Sequence, residues 1–262
     1  MRKSKNKKHH YILILFFIVI AVFSIYEEFG KDKKPKVPPP PPSKPKVAII
    51  MDDLGPNKET AIEIMNLNNR ITLSILPQQT YSSWIAGEGR RRGHDIIAHI
   101  PMEALSAQKP GEGGLFTWMT DGEIVETFDK DIKSVPHALG ISNHMGSAFT
   151  RDERAMRVVL AELKKRKLFF LDSLTTPDST GYELAKAGGT RALRRDLFLD
   201  DKDAPAEIEA QWKKLLQLAD KNGRAILLAH PRRNTIEFLR KTLKDNKEIE
   251  VVPVRELIAE SG

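Results

Sequence analysis

Residues 47–56 read VAIIMDDLGP, and this stretch decides the predicted fold. The apolar run 47–51 is typical of a buried parallel strand, and it ends at the adjacent carboxylates Asp52 and Asp53. In β/α folds, functional residues lie where strands leave the core at their carboxyl ends. Asp53 alone is also a suitable cap for a following helix. Two neighbouring carboxylates raise each other's pKa unless a cation or several hydrogen-bond donors lie nearby. The pair therefore indicates a catalytic or metal-binding role rather than helix capping.

From residue 47 onward, strand-like segments alternate with helix-like segments. Strands are predicted at residues 47–51, 71–76, 95–100, 138–142, 168–171, 190–197, 225–228 and 250–253. Helices are predicted at residues 58–67, 82–92, 121–134, 151–165, 181–187, 204–222 and 235–244. This alternation is typical of a parallel sheet covered by helices. About seven such units predict an α/β fold, an irregular (β/α) barrel of parallel strands rather than an open doubly wound sheet.

The composition limits the class of protein. The chain has 262 residues and an apolar fraction of 40%, enough for one β/α domain with an N-terminal extension. Its formal charge of +7 is concentrated in the first 46 residues, which hold eleven Lys or Arg against three Asp or Glu. The remainder is close to neutral, which argues against a nucleic-acid-binding domain. The sequence has no cysteine, so disulfides, thiolate zinc sites and cysteine nucleophiles are excluded.

The first 46 residues divide into three segments. Residues 1–10 are basic and are predicted to stay in the cytoplasm, and residues 11–26 (YILILFFIVIAVFSIY) are almost wholly apolar. No small-residue cleavage site follows this run, which favours an uncleaved signal anchor over a cleaved signal peptide. Residues 27–46 contain five consecutive prolines among lysines and predict a stiff linker in the polyproline II conformation. The domain at residues 47–262 is therefore expected to be exported and held at the membrane.

Further polar residues follow apolar strands in the same way as the aspartate pair. Three histidines and one aspartate lie at predicted strand ends: His99, His144, His230 and Asp172. A single histidine there is more often structural than a ligand, but all carboxyl strand ends of a barrel open onto one mouth. Imidazole and carboxylate donors without thiolates suit a catalytic zinc or another divalent transition metal. His94 and His137 precede their strands and are assigned no chemistry.

Five short motifs occur in one order along the chain: MDDLG, HIPME, NHMGS, LDS and LAHP. Their order resembles that of the polysaccharide deacetylase superfamily, and their forms are similar to its divergent polysaccharide deacetylase branch. The resemblance implies that Asp52 is the general base and that Asp53 and His99 are metal ligands. It also implies that His230, in a closing Leu-x-His motif, is the general acid. The resemblance covers most of residues 47–257 and none of the N-terminal segments.

The sequence departs from the mainstream pattern of that superfamily at two motifs. The second metal-binding histidine corresponds to Glu103, which still offers an oxygen ligand. The mainstream Arg-x-Pro-Tyr motif has no clear counterpart; NHMGS occupies that strand end, and His144 is the expected third ligand in place of Glu103. Asp172 stands roughly where the superfamily has an aspartate that tunes the base. The resemblance thus implies a metal set drawn from Asp53, His99, His144 and Glu103.

These inferences predict a metal-dependent hydrolase that removes N- or O-acetyl groups from a cell-envelope polysaccharide or related carbohydrate, with zinc as the expected metal. The expected substrate contacts are Asn143 at a strand end and Leu115, Phe116 and Trp118 in a long connection. The three apolar residues are equally compatible with loop packing. The alternative is a non-catalytic envelope protein that binds a glycan or a partner at the same mouth. A carbohydrate and the membrane are the expected partners, and the oligomeric state is left open.

Overall fold

The computed structural model describes residues 5–29 and 44–260. The chain divides into two compact units, Met1–Ser43 and Lys44–Gly262. Most of the predicted linker, residues 30–43, and the first four residues of the predicted basic tail lie outside the described residues.

The described part of the first unit is one helix, α1 (Lys5–Phe29). Its segment His10–Glu27 has a mean hydropathy of 2.1 and is long and apolar enough to cross a membrane. Glycine and proline are absent from the helix, so nothing in its sequence interrupts it. The predicted apolar segment 11–26 is therefore helical. A membrane anchor and a signal sequence both have this form, and the choice between them stays a prediction.

The second unit is a curled sheet of parallel strands. The strands are β1 (Lys46–Leu54), β2 (Thr72–Ile75), β3 (Ile96–Met102), β4 (Gly140–Met145), β5 (Phe169–Asp172), β6 (Ala192–Arg194), β7 (Leu197–Phe198), β8 (Arg224–Ala229) and β9 (Glu250–Val251). They are hydrogen-bonded in the order β6-β5-β4-β3-β2-β1-β8-β7, and β9 pairs with β1. Among the described strands, β6 and β7 are not paired, so the barrel is open at that seam. The predicted fold class, an irregular (β/α) barrel, is confirmed.

Helices follow most of the strands, and all but the last pack on the outside of the sheet. They are α2 (Lys58–Met65), α3 (Ser82–Arg91), α4 (Asp121–Ser134), α5 (Glu153–Arg166), α6 (Gly181–Ala187), α7 (Pro205–Asn222), α8 (Arg233–Lys244) and α9 (Val254–Ala259), with a short 3-10 turn at Phe149–Arg151. Local sequence fixes several of their ends. Thr120 and Glu123 form a reciprocal capping box at the start of α4, and Gly223 ends α7 in the left-handed conformation at φ 74°.

The structure corrects the predicted strand at residues 190–197. That segment forms two strands, because Arg195 donates its amide to Asp172 O on β5 whereas Asp196 donates its amide to Ile226 O on β8. The chain thus passes from one edge of the sheet to the other within two residues. The predicted last strand, 250–253, shortens to β9, and helix α9, which the sequence analysis did not predict, follows it.

The two faces of each strand have different surroundings. Alternate residues of β1, such as Val47, Ile49 and Met51, belong to the large apolar cluster beneath the helices. The residues between them, Ala48 and Ile50, belong to a second apolar cluster inside the barrel. The interior cluster also contains residues of α9. Asp52 continues the inward series of β1, so the barrel interior changes from apolar to polar at the carboxyl end of the strands.

Candidate metal centre and active site

Backbone geometry brings both aspartates of the pair to the mouth of the barrel. By strand alternation Asp52 points inward and Asp53 would point outward. However, the pairing of β1 with β2 shifts register between Met51 and Leu54, and Asp53 adopts the left-handed conformation at φ 58°. Such a conformation costs of the order of 1–3 kcal/mol for a non-glycine residue and is concentrated at functional sites. The register shift and the left-handed residue together turn the Asp53 carboxylate toward the same mouth.

Three potential metal-binding side chains converge there. The donor atoms of Asp53, His99 and His144 all lie within 4.8 Å of one another. His144 Nδ1 is 2.9 Å and His99 Nε2 is 3.3 Å from Asp53 Oδ1. Neither contact has hydrogen-bond geometry, and this buried oxygen has no hydrogen-bond partner among the described residues. One carboxylate and two imidazoles around an unpaired oxygen fit a divalent transition metal with open positions for water.

Adjacent strands supply the two histidines. His99 lies on β3 opposite Ser142 of β4, and His144 follows two residues later on the same inward face of β4. Their rings meet edge to face with centroids 5.1 Å apart. Although burial raises the pKa of Asp53, attraction to His144 and His99 outweighs it and holds that pKa well below its usual range. The structure thus brings together three of the four predicted ligands.

Glu103, the fourth predicted ligand, is occupied elsewhere. Its carboxylate oxygen Oε2 accepts hydrogen bonds from Thr117 N at 2.7 Å and Thr117 Oγ1 at 2.6 Å. Its backbone carbonyl accepts from Ala148 N at 3.0 Å. Glu103 therefore fastens the long loop after β3 to the loop after β4, and it is not part of the three-residue group.

Asp52 lies beneath this group and is almost wholly buried, with 1% of its surface exposed. Its Oδ1 atom is 3.5 Å from His99 Nδ1 and has no hydrogen-bond partner among the described residues. Burial raises the pKa of Asp52, while the neighbouring His99 and His230 act in the opposite direction. A buried carboxylate with a free oxygen is suited to accept a proton.

His230 follows β8 and is held by Asp200, a residue that the sequence analysis missed. Its Nδ1 atom is 2.8 Å from Asp200 Oδ1, and its Nε2 atom is 4.0 Å from Asp53 Oδ2. Burial lowers the pKa of His230, but the hydrogen bond with Asp200 and the charge of Asp52 outweigh it, so the pKa is raised. Phe198 stacks on the imidazole with ring centroids 5.7 Å apart. The ring is thus fixed in position and favoured in its charged form.

Asp172 faces away from the barrel interior. Its two oxygens accept hydrogen bonds from Leu174 N, Ser179 Oγ and Tyr182 N, in the loop before α6 and at its start. Among the described contacts, none of these hydrogen bonds reaches Asp52. Strand alternation explains the placement, because Leu171 belongs to the interior cluster and the next residue must point outward. This geometry supports a loop-holding role for Asp172 rather than the predicted catalytic one.

Asn143 also points outward and is 1% exposed. Its Oδ1 accepts from Ser173 N and its Nδ2 donates to Met145 O, each at 2.8 Å. The side chain therefore joins the loops after β4 and β5. This placement argues against the predicted contact with substrate.

The three apolar residues of the long loop that were expected to contact substrate have different surroundings. Leu115 is wholly buried, because its backbone pairs with Pro101 and Glu103 at the end of β3 and draws its side chain into the core. This position supports the loop-packing alternative for Leu115. Phe116 and Trp118 instead stack on each other, with ring centroids 5.4 Å apart at 24°, and Trp118 is 69% exposed. These two residues form a flat aromatic surface on the loop that Glu103 fastens.

Residues 49–258 match the family model for divergent polysaccharide deacetylases. The chain therefore belongs to the divergent polysaccharide deacetylase family, which confirms the resemblance carried by the five motifs. An uncharacterized protein of Haemophilus influenzae is 35% identical over 206 residues, which cover 79% of this chain and 74% of that protein. The uncharacterized protein YibQ of Escherichia coli is 31% identical over 194 residues, which cover 74% of this chain and 61% of that protein.

A solved structure has the same fold. The crystal structure of the uncharacterized protein ATU2773 from Agrobacterium tumefaciens C58 superposes with a TM-score of 0.78 at 24% identity. The match covers 83% of this chain and 91% of that one. At this identity the similarity concerns the fold alone.

Proposed function

We propose that this protein is a metal-dependent hydrolase that removes acetyl groups from a cell-envelope polysaccharide or a related carbohydrate. One observation carries the proposal: a buried carboxylate, Asp52, and an imidazole held by Asp200, His230, both border the Asp53–His99–His144 group. Hydrolysis of an acetyl group needs a proton acceptor for water and a proton donor for the leaving group, together with a means to stabilise the developing charge. Family membership supports the same class of reaction.

Asp53, His99 and His144 would hold the metal, and their donor types favour zinc. When bound there, a divalent metal polarises the acetyl carbonyl and lowers the pKa of a water molecule. The left-handed Asp53 and the strand positions of both histidines fix these donors on the rigid sheet rather than on loops. Little reorganisation is then needed for binding.

Asp52 would take the proton of the attacking water. Its free Oδ1 atom lies at the base of the mouth, and its burial favours proton uptake over permanent ionisation. The bond that forms joins the water oxygen to the acetyl carbon. The bond that breaks joins that carbon to the sugar nitrogen or oxygen.

His230 would deliver a proton to the departing amine or alkoxide. Because its Nδ1 atom is held by Asp200, the Nε2 atom is the one that faces Asp53 and the reacting groups. Asp200 in turn accepts from His230 N and Thr235 Oγ1, so its own position is fixed. Asp200 is a positioning residue in this scheme.

The stacked rings of Phe116 and Trp118 would bind the apolar face of a sugar ring. The same surface favours the second candidate function, a non-catalytic glycan-binding protein, because aromatic stacking needs neither a metal nor an acid–base pair. Acetate release separates the two functions. The full chain, purified in detergent and loaded with zinc, is expected to release acetate from acetylated chitin oligomers or peptidoglycan, and chelation is expected to stop the release. Glycan binding without acetate release would support the second function.

Helix α1 would remain on the mature protein and hold the domain on the outer face of the cytoplasmic membrane. Its apolar length and the lack of a small-residue cleavage site support this location. N-terminal sequencing of the membrane fraction is the test. A mature chain that starts near Ile25 or in the linker would contradict it.

A further inference from the structure

Two buried serines lie inside the barrel directly below the mouth. Ser74 of β2 and Ser142 of β4 are wholly buried, and both occupy inward positions. Nearby inward positions of the same sheet carry apolar residues such as Ile50 and Ile97. A hydroxyl group at such a position costs free energy unless it is hydrogen-bonded, so the partners of these two serines are informative.

The serines form a chain of contacts that runs from His99 toward Asp52. His99 Nδ1 is 2.7 Å from Ser142 Oγ, and Ser142 Oγ is 2.9 Å from Ser74 Oγ. The Ser74 hydroxyl also lowers the pKa of Asp52, against the larger effect of burial. We propose that Ser74 and Ser142 form a hydroxyl relay that selects the His99 tautomer able to bind metal. The proposal rests on the proposed metal site and does not depend on catalysis.

The chemistry of the groups gives the relay a direction. In the proposed relay Ser74 donates to Asp52, because a carboxylate can only accept hydrogen bonds, and Ser74 then accepts from Ser142. Ser142 then accepts in turn from His99 Nδ1–H. With its hydrogen on Nδ1, the neutral imidazole has its lone pair on Nε2, which is the atom 3.3 Å from Asp53 Oδ1.

Without the relay, no described hydrogen bond of Nδ1 favours one tautomer. A hydrogen on His99 Nε2, 3.3 Å from the unpaired Asp53 Oδ1, would occupy the nitrogen that must bind the metal. The partner that holds the second ring nitrogen of a metal-binding histidine typically changes metal affinity by about 10- to 100-fold. Among the three proposed ligands, Ser142 has a described hydrogen bond only with His99, so its effect on zinc binding must pass through His99.

The experiment measures zinc affinity and the His99 tautomer separately. Full-length parent, Ser142→Ala, Ser74→Ala and Ser82→Ala proteins in detergent are titrated with zinc against a chromophoric chelator. The metal-free forms are studied by ¹⁵N NMR near pH 8, where an ordinary imidazole is neutral. His99→Gln identifies the His99 signals. Ser82 is a matched control, because it is also buried but bonds Leu76 O and Gln79 N on the helix side of the sheet.

We expect the parent to carry the hydrogen on His99 Nδ1. Ser142→Ala should shift the tautomer toward Nε2–H and weaken zinc binding about 10- to 100-fold. Ser74→Ala keeps Ser142, the direct acceptor of the His99 Nδ1 hydrogen, and should lose less zinc affinity than Ser142→Ala. Ser82→Ala should bind zinc as the parent does. A parent with its hydrogen on Nε2 would overturn the proposal even if Ser142→Ala fails to fold. Unchanged zinc affinity in Ser142→Ala would also overturn the proposal, as would a larger loss of zinc affinity in Ser74→Ala than in Ser142→Ala. Failure of the parent to bind zinc would instead contradict the proposed metal site, while the tautomer still tests the relay.

Discussion

The Nδ1 atom of His230 lies 2.8 Å from Oδ1 of Asp200, and the two residues follow neighbouring strands, β8 and β7. This contact fixes the ring and raises the pKa of His230 above its ordinary value, against the effect of burial. An acid must be protonated to act, so a raised pKa extends activity to higher pH. The Asp200–His230 pair therefore sets the alkaline limit of the proposed reaction.

Asp200→Asn should lower the pH at which activity is lost on the alkaline side. The substitution keeps the size of the side chain but removes the negative charge that favours imidazolium, so the alkaline limb of the kcat profile should shift to lower pH. Turnover at neutral pH should fall about tenfold or more, and zinc content should be unchanged because Asp200 is outside the metal group. A pH–rate series with zinc analysis measures both. An unshifted alkaline limb would show that another group titrates there.

Zinc binding should depend on pH through the two histidine ligands. Neutral imidazole is required for ligation, so affinity should fall as the pH is lowered. His99→Ala and His144→Ala should each weaken binding strongly, whereas Glu103→Gln should have little effect because its carboxylate bonds Thr117. Calorimetric titration with zinc provides the comparison. Parent-like affinity in both histidine variants would mean that the ligands are wrongly assigned.

Trp118→Ala should weaken substrate binding without slowing the chemical step. Loss of one stacking surface costs roughly 0.5–1.5 kcal/mol, so KM should rise about 2- to 10-fold while kcat stays within about twofold. Trp84→Ala is the matched control, since Trp84 is also partly exposed but contacts Lys58 at the start of α2. Steady-state kinetics on acetylated chitin oligomers distinguish the two. Equal effects of both substitutions would show that the aromatic surface is not part of the substrate site.

Asp131 on α4 should make stability fall as the pH rises. It is wholly buried, its Oδ1 accepts from Gln78 Nε2 at 2.7 Å, and burial raises its pKa to about 7, with the nearby Glu112 adding to the rise. The unfolded carboxyl has the ordinary pKa of 3.8. The folded state therefore binds more protons between these two values, and the free energy of unfolding decreases as the pH rises from about 4 to about 7, then levels off.

Asp131→Asn removes this titration and keeps an acceptor for Gln78. The variant should gain stability relative to the parent as the pH rises, by up to about 4 kcal/mol at pH 8 and much less at pH 5. Glu126→Gln, an exposed position on the same helix, is the control and should show no such trend. Denaturant unfolding at the two pH values measures the difference. A constant difference between variant and parent would contradict a buried, titrating Asp131.

The inward-facing part of the site was predictable from the sequence. Asp52, His99 and His230 end apolar strands, and a barrel brings such ends to one mouth. Asp172 lies outside because Leu171, the residue before it, faces the interior. The strand reads FFLD and has no polar residue before Asp172 to mark its outer face, so this position was not predictable from the sequence.

Other parts depend on backbone conformation or tertiary contacts that no sequence pattern signals. Asp53 reaches the mouth only through a left-handed residue and a register shift in β1. Asp200 follows β7, a strand of two residues, so there was no alternating pattern to mark it. Leu115 lies in a Gly/Pro-rich loop, and only its pairing beside β3 buries it.

The most direct test of the central claim measures zinc content and acetate release together in Asp52→Asn and His230→Ala. Neither residue belongs to the three-residue metal group, so at saturating zinc both variants should keep near-parental zinc content. Both should lose turnover by about a hundredfold or more, the usual effect of removing a positioned proton-transfer group. A parent that holds zinc stoichiometrically yet releases no acetate from any acetylated glycan, with both substitutions silent in every assay, would contradict a deacetylase and favour a glycan-binding protein.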